Sequence, residues 1–377
     1  MSTRNLPEME PDIRRARTLS AEAMHDPAWY ERAKERIFAA SWQLIADSDR
    51  VVEPGTAVPL TMLEGSLEEP IYLARDRAGA LHCRSNVCTH RGNLVVNAPC
   101  KTDVLRCRYH GRRFTLEGAF VSMPEFEGVK GFPSPNDDLP AIPHAQWGKL
   151  VFASLHPAFS FDALLGPMRE RLATLPLDRI AFDAATSRDY EVEASWILYC
   201  DNYLEGFHIP FVHAGLNRLV EYGDYRTELL EYGTLQVAIG APGTEVFELP
   251  KSAADHGQRV AAYYLWLFPN TMLNFYPWGV SVNVVKPLGP HRTRVSFLSY
   301  PWDPSRQERG AGSDLNQVEL EDEEVVESVQ RGTRSRLYRG GRYSPTRETG
   351  VHHFHRLMTR FLRDPVTAPV TESGNGG

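Results

Sequence analysis

The chain has 377 residues, 42% of them hydrophobic and 24% charged, with a formal net charge of −7. That length suits two domains, and the composition is that of an ordinary soluble globular protein. The acidic balance argues against nucleic acid or an anionic membrane surface as a partner, and no run of about 18 apolar residues could span a bilayer.

Met1 to Arg17 is polar and charged, without the apolar centre of a signal peptide. Residues 1–20 read as an irregular arm. Asp26 then caps a helix with Pro27 in its first turn, and Trp29, Ala33 and Ile37 share a face. From Trp42 the texture changes to short strands: V-V-E-P-G-T-A-V-P-L at 51–60, P-I-Y-L-A-R at 70–75, a turn at Asp76 to Gly79, and A-L-H-C-R at 80–84. A last strand is expected from Lys149 to Ser154. Residues 42–155 read as a small all-β domain.

Inside that domain stand N-V-C-T-H-R-G at 86–92 and L-R-C-R-Y-H-G-R-R-F at 105–114. Cys88 and His90 form one arm, Cys107 and His110 the other. A glycine follows each arm (Gly92, Gly111) and lets the backbone approach a cluster. One Cys-x-His arm and one Cys-x-x-His arm make the ligand pattern of a Rieske [2Fe–2S] centre, in which thiolates hold one iron and imidazoles the other. Zinc is the competing metal, but zinc fingers pair Cys with Cys and His with His, whereas each arm here mixes the two. Cys83, Cys100 and Cys200 remain, an odd number that suits a reducing cytoplasm better than a disulfide framework.

Beyond Pro157 the sequence predicts a helix over Phe161 to Leu172. Strands are expected at Tyr190–Ala194, Leu235–Ile239, Ala261–Phe268, Thr271–Tyr276 and Arg294–Leu298. A long acidic helix should run from Asp314 to Gln330, stopped by Gly332. A final helix over Val351 to Leu362 puts Phe354, Met358, Phe361 and Leu362 on one side, and the tail from Val370 reads as disordered. Residues 156–377 thus form a second, α+β domain, with which the arm and helix at 1–41 should pack.

A second metal site is written as Glu205-x-x-His208-x₄-His213. On a helix Glu205 and His208 share a face, and Pro210 can break the helix and swing His213 round. Two His and one carboxylate form the facial triad of non-haem Fe(II) oxygenases. Glu205 is the nearest acid. The acidic helix offers a better one, because Leu315, Val318, Asp322, Val325 and Val329 follow a 3-4 spacing with Asp322 in an apolar stripe. A lone inward carboxylate is costly unless it is paired or metal-bound, so Asp322 is the third ligand; a surface acid, or one paired with arginine, is the bland alternative. Glu321, Glu323 and Glu324 lie off the stripe and read as solvated.

With both sites in hand the sequence resembles the α subunits of Rieske non-haem iron oxygenases, and most of all the choline monooxygenase branch that takes quaternary ammonium substrates. The segments that carry the resemblance are D-N-Y-L-E-G-F-H-I-P-F-V-H at 201–213, F-P-N-T-M-L-N-F-Y-P-W-G at 268–279 and V-K-P-L-G-P at 285–290. E-D-E-E-V-V-E-S-V-Q-R-G at 321–332 and V-H-H-F-H at 351–355 add to them. The resemblance implies an α+β fold, an all-β Rieske domain followed by a helix-grip catalytic domain, in a homotrimer. It implies that Glu205 bridges an iron histidine to a cluster histidine of a neighbouring subunit, and that Asn202 and Tyr203 lie close to the iron or the interface. Such enzymes activate O₂ at the mononuclear iron with electrons relayed from the [2Fe–2S] cluster.

No nucleotide fingerprint is present, so a separate reductase or ferredoxin must supply the electrons. For a quaternary ammonium the expected pocket offers aromatic faces, with Tyr203, Phe207, Tyr264, Trp266, Phe268, Tyr276 and Trp278 as candidates. The product would come from hydroxylation or N-demethylation. Two alternatives stay open: an aromatic-ring hydroxylating oxygenase on the same scaffold, and a non-enzymatic Rieske electron carrier without the mononuclear iron.

Overall fold

Turn chemistry cuts the segment Trp42–His156 into ten short strands. The computed structural model describes residues 8–307 and 309–363, so the first residues of the arm and the tail from Val370 lie outside the described residues. The strands are β1 (Gln43–Asp47), β2 (Thr56–Met62), β3 (Glu69–Arg75), β4 (Leu81–Ser85) and β5 (Cys100–Lys101). Then come β6 (Leu105–Arg106), β7 (Arg113–Phe114), β8 (Phe120–Ser122), β9 (His144–Trp147) and β10 (Leu150–Ala153). They pair antiparallel as β1-β10-β9, β4-β3-β2-β5 and β6-β7-β8. The turn at Asp76 shows how register is set. Gly79 takes φ +90°, Ala80 N–H donates to Asp76 Oδ1 at 2.8 Å, and Arg75 then pairs with Leu81. Tyr72, Phe114, Leu116 and Leu139 pack round the buried Cys88 and Cys107.

The residues up to Ser41 group with those from Pro157 onward in a second compact unit. After a single helical turn at Glu22–His25, helix α1 (Pro27–Ala33) starts as Asp26 accepts from Ala28 N–H, and a wider turn over Lys34–Phe38 buries Ile37 and Phe38. Arg32 and Arg36 donate to the Leu362 carbonyl at 2.6 and 2.7 Å, satisfying an end of the last helix. The longer helices that follow are α2 (Phe161–Arg171), α3 (Trp196–Tyr203), α4 (Leu315–Gly332) and α5 (Thr349–Arg363), of which α3 and α4 line the site.

The strands of this unit are β11 (Asp183–Val192), β12 (Arg226–Leu230), β13 (Gly233–Ile239), β14 (Val260–Leu267), β15 (Thr271–Tyr276), β16 (Gly279–Gly289) and β17 (Arg292–Pro301). They form one antiparallel sheet in the order β11-β17-β16-β15-β14-β13-β12. Two of them are not apparent in the sequence pattern. β12 is a short polar edge strand with little apolar alternation, and β16 contains Pro287. That proline sits beside a register shift near the strand end, where the missing N–H is tolerated.

The helix α4 corrects two expectations. Gly332 is its last helical residue, not a left-handed stop, and Thr333 closes the helix by donating to Val329 and Gln330 carbonyls. Its buried face runs through Glu319, Val326 and Gln330, while Val329 is exposed. The stripe of apolar residues points slightly to one side of the true inward face because two inward positions are polar. Each has a partner: Gln330 accepts from Ser195 N–H at 3.0 Å, and Glu319 from the Tyr199 hydroxyl at 2.6 Å.

Candidate active site

The two cysteine arms fold as the same turn. Gly92 N–H donates to the Cys88 carbonyl and Cys88 N–H to the Asn93 carbonyl; Gly111 and Arg112 repeat this round Cys107. Gly92 and Gly111 take φ +73° and +77°, so the turn itself demands glycine in both places. Cys88 and Cys107 are buried, while His90 and His110 are part-exposed with ring centroids 4.7 Å apart. Burial pushes the Cys88 thiol up. For Cys107 the same burial is outweighed by the N–H groups of Tyr109 and His110, the Cys88 thiol and Asn93, whose amide donates to Cys107 Sγ at 3.5 Å. Partial burial, then the charges of His110, Arg91 and Arg112, lower the His90 pKa and favour the neutral imidazole a metal needs. The two sulfurs stand next to one another and so do the two imidazoles, the grouping in which thiolates would hold one iron and imidazoles the other.

The second set is tight. One ligand atom each from His208, His213 and Asp322 lies within 4.8 Å of the others. His213 Nε2 and His208 Nε2 approach Asp322 Oδ1 at 3.0 and 3.5 Å, and Asn202 Nδ2 donates to the same oxygen at 3.0 Å. The loop geometry differs from the helical expectation. α3 ends at Tyr203, and Glu205 lies in a loop where its carboxylate accepts from the N–H groups of Phe207 and His208. Pro210 sits in the opening positions of the single turn Ile209–Val212 instead of breaking a helix, and His213 follows directly.

Each ring's other nitrogen is fixed by an acid. His208 Nδ1 donates to Glu205 at 2.6 Å and His213 Nδ1 to Glu321 at 2.7 Å, which leaves both Nε2 atoms free to bind metal. Glu321 is therefore not a solvated bystander. Gln317 donates to its other oxygen at 3.0 Å, and the His213 bond holds its carboxyl below the usual range. Burial works to lower the His213 pKa, but Asp322 and Glu321 outweigh it and hold the metal-free ring above its ordinary value.

Residues 41–133 match the Rieske [2Fe-2S] domain, and residues 178–364 match the ring hydroxylating alpha subunit (catalytic domain). The chain is 30% identical to chloroplastic choline monooxygenase of Arabidopsis thaliana over 94% of its own length and 86% of the relative's. It belongs to the Rieske non-haem iron oxygenases. This oxygenase chain is also 28% identical to the carnitine monooxygenase oxygenase subunit of Escherichia coli (strain K12), over 92% of its length and 94% of the relative's. A solved quaternary ammonium Rieske monooxygenase, whose structure bears on inter-subunit electron transfer, superposes with TM-score 0.79 at 25% identity, over 95% of this chain and 99% of that one. The cofactors of the oxygenase are thus a [2Fe–2S] cluster and a mononuclear iron, and the residues just described suit both.

Beside His208, His213 and Asp322 the oxygenase has a cavity of about 100 Å³. One face of the sheet lines it with Gln236, Tyr264, Asn274, Tyr276, Asn283 and Phe297; Gln236–Tyr264, Tyr264–Asn274 and Asn283–Phe297 are cross-strand pairs. Opposite stand Tyr199, Asn202 and Tyr203 of α3 and Leu315, Val318, Glu319 and Asp322 of α4, both sets at helical spacing. Tyr203 donates to Asn274 Oδ1 at 2.6 Å. Burial raises Tyr264 to about 12 and lifts Tyr203, Tyr225 and Tyr276 as well, so all four stay phenols.

Of the seven aromatic candidates, Tyr203, Tyr264 and Tyr276 line the cavity. Trp266 and Phe268 are core residues packed near Phe354 and Phe361, Trp278 stacks behind Tyr276, and Phe207 is exposed. Tyr199, Tyr225 and Phe297 join the lining without having been among those candidates. Tyr225 has one readable signal, Gly206, because a Cβ there would meet the Tyr225 ring at 2.7 Å. The V-H-H-F-H segment ties α5 to α3, with His355 Nε2 at 2.8 Å from Asp201 and the Tyr343 hydroxyl 2.7 Å from its Nδ1.

Proposed function

We propose that the oxygenase hydroxylates a small quaternary ammonium or related substrate of the choline, betaine or carnitine kind, by hydroxylation or N-demethylation. The observation that carries this reading is the cavity beside His208, His213 and Asp322. It is small, and in its wall the Tyr264 ring lies within 6.4 Å, centroid to centroid, of Tyr203, Tyr225 and Tyr276. Ring faces attract a cation by roughly 1–2 kcal/mol each when water is excluded. The curated relatives named above act on choline and carnitine, which supports the same class. When bound, the iron and the cluster supply O₂ activation and electrons. The chain's own residues hold the imidazoles through Glu205 and Glu321, orient Asp322 through Asn202 and seat the substrate.

A homotrimer is part of the same proposal. Glu205 already holds His208, and its role as bridge to a partner's cluster histidine is supported by the inter-subunit electron transfer of the solved quaternary ammonium monooxygenase. A separate reductase or ferredoxin supplies the electrons. The cytoplasm is the proposed compartment, supported by Cys83, Cys100 and Cys200, which stand outside the cluster arms and form no disulfide. Among the described residues no helix is long and apolar enough to cross a membrane. Oxygen uptake coupled to a generic reductase, with choline, betaines, carnitine and simple arenes in parallel, tests the reading; uptake with arenes alone would overturn it.

A further inference from the structure

The charged side chains lining the cavity are all acids. Glu205, Glu319 and Asp322 are present, and among the described lining residues there is no lysine or arginine. Glu205 and Asp322 are committed to the iron imidazoles. Glu319 is different. It is 3% exposed, one oxygen accepts from Tyr199 at 2.6 Å, and the other, Oε1, is buried without a hydrogen-bond partner. Its atoms do not join the compact triad of ligand atoms, although it lies one helical turn before Asp322.

A buried carboxyl with an unmet oxygen is destabilising unless something compensates it. Water or a neutral donor could satisfy the oxygen, but an organic cation held by the tyrosines would supply opposite charge to the whole group. The remaining polar wall consists of amides and phenols (Gln236, Asn274, Asn283, Tyr203), which suit a hydroxyl. With Glu205 and Asp322 taken up by the imidazoles and the iron they would hold, a substrate carboxylate at the far end of the cavity would meet Glu319 and no lysine or arginine, an arrangement that selects against it.

Resting on the quaternary ammonium reading above, we infer that Glu319 is the counter-charge for the substrate cation and that the cavity selects ammonium compounds lacking a carboxylate. Choline-like alcohols are therefore substrates, and carnitine, γ-butyrobetaine and glycine betaine are poor ones. Glu319 is a specificity-determining residue in this scheme, and Tyr199 positions it. Burial, then the neighbouring acids Asp322 and Glu323, push the Glu319 pKa up, against the Tyr199 bond, and an opposite charge beside it would favour the ionised form.

The test uses the iron- and cluster-loaded enzyme with its electron supply, and calorimetric binding of choline against 3,3-dimethylbutan-1-ol, its uncharged carbon isostere. Choline is expected to bind at least about ten-fold more tightly than the isostere and to show a kcat/KM at least about ten-fold above that of each carboxylated compound. In Glu319→Gln the choline KM should rise about ten-fold while iron content and the cluster spectrum stay unchanged, and Glu319→Asp should recover part of the loss. Equal or better turnover of carnitine or betaine, isostere binding as tight as choline, or an unchanged KM in Glu319→Gln overturns the inference. The wild-type panel decides the matter even where the variants fold poorly. Turnover of carboxylated ammonium compounds alone would sink this inference and keep the proposed function; turnover of arenes alone would sink both.

Discussion

The two metal sites of this chain are built on opposite plans. The cluster arms are local and basic: the four candidate ligands fall within 23 residues, on two copies of one turn, with Arg91, Arg106 and Arg108 among them and Arg112 and Arg113 just after. The candidate iron site is dispersed and acidic: His208 and His213 come from one loop and Asp322 from a helix 109 residues later, with Glu205, Glu319 and Glu321 close by. The charge difference follows the chemistry. A reduced cluster gains negative charge, which nearby guanidinium groups stabilise, whereas a divalent ion and an organic cation both call for carboxylates.

The largest effect separates the sites outright. His208→Ala and Asp322→Ala are expected to abolish substrate-dependent oxygen uptake while the cluster's visible spectrum and its EPR signal on reduction persist. Cys107→Ser is the mirror experiment, losing the cluster signal while Fe(II) still binds. Loss of both signals in either variant would show that the two sites do not form independently.

Next comes the arginine that is buried. Arg112 pairs with Asp137 at 2.7 Å and lies over Phe114, Phe120 and Phe132, with the guanidinium 5.0–5.7 Å from each ring centroid. Arg112→Ala removes that packing and one partner of Asp137, which keeps its bonds from Ser134, so it should cost about 2 kcal/mol. Thermal release of the cluster, read by absorbance, should shift down, with Fe(II) binding at the other site unaffected.

The acids that hold the iron imidazoles should give smaller losses, on the order of 10- to 100-fold. Glu205→Gln should keep both metal centres yet slow oxygenation, and a normal rate would reject its bridging role. Glu321→Gln should weaken Fe(II) binding, measured by metal titration of the iron-free protein. Unchanged affinity would reduce the Glu321–His213 bond to a surface contact.

How legible each site is in the sequence follows from the same contrast. The cluster ligands can be read because their spacing is short, and spacing is what a sequence displays. His208 and His213 are readable for that reason too, and Asp322 because an acid interrupts apolar periodicity. Glu321 reads as solvated, since nothing local shows that a residue beside a metal ligand meets a histidine 108 positions earlier. Glu319 and Gln330 are invisible because they are polar residues on the buried face, which a hydrophobic pattern can only count against. In the fold, β14 and β15 emerge from their dense apolar runs, whereas β12 and β16 do not, one being a polar edge and the other containing proline.

The smallest effect contrasts two glycines, one per site. Gly92 has φ +73° but open space where a Cβ would go, so Gly92→Ala pays only the left-handed conformation, about 1 kcal/mol. Gly206 carries no such strain, yet a Cβ there would lie 2.7 Å from the Tyr225 ring. Gly206→Ala must therefore push that ring, whose hydroxyl donates to Gln236 at 3.2 Å and which lines the cavity. Gly92→Ala should lower the melting temperature of the cluster by a few degrees and leave KM alone. Gly206→Ala should raise KM and leave the cluster untouched, because it moves substrate-facing atoms while Gly92→Ala strains a turn. If Gly206→Ala kept wild-type KM, Tyr225 would be a wall residue without influence on the substrate.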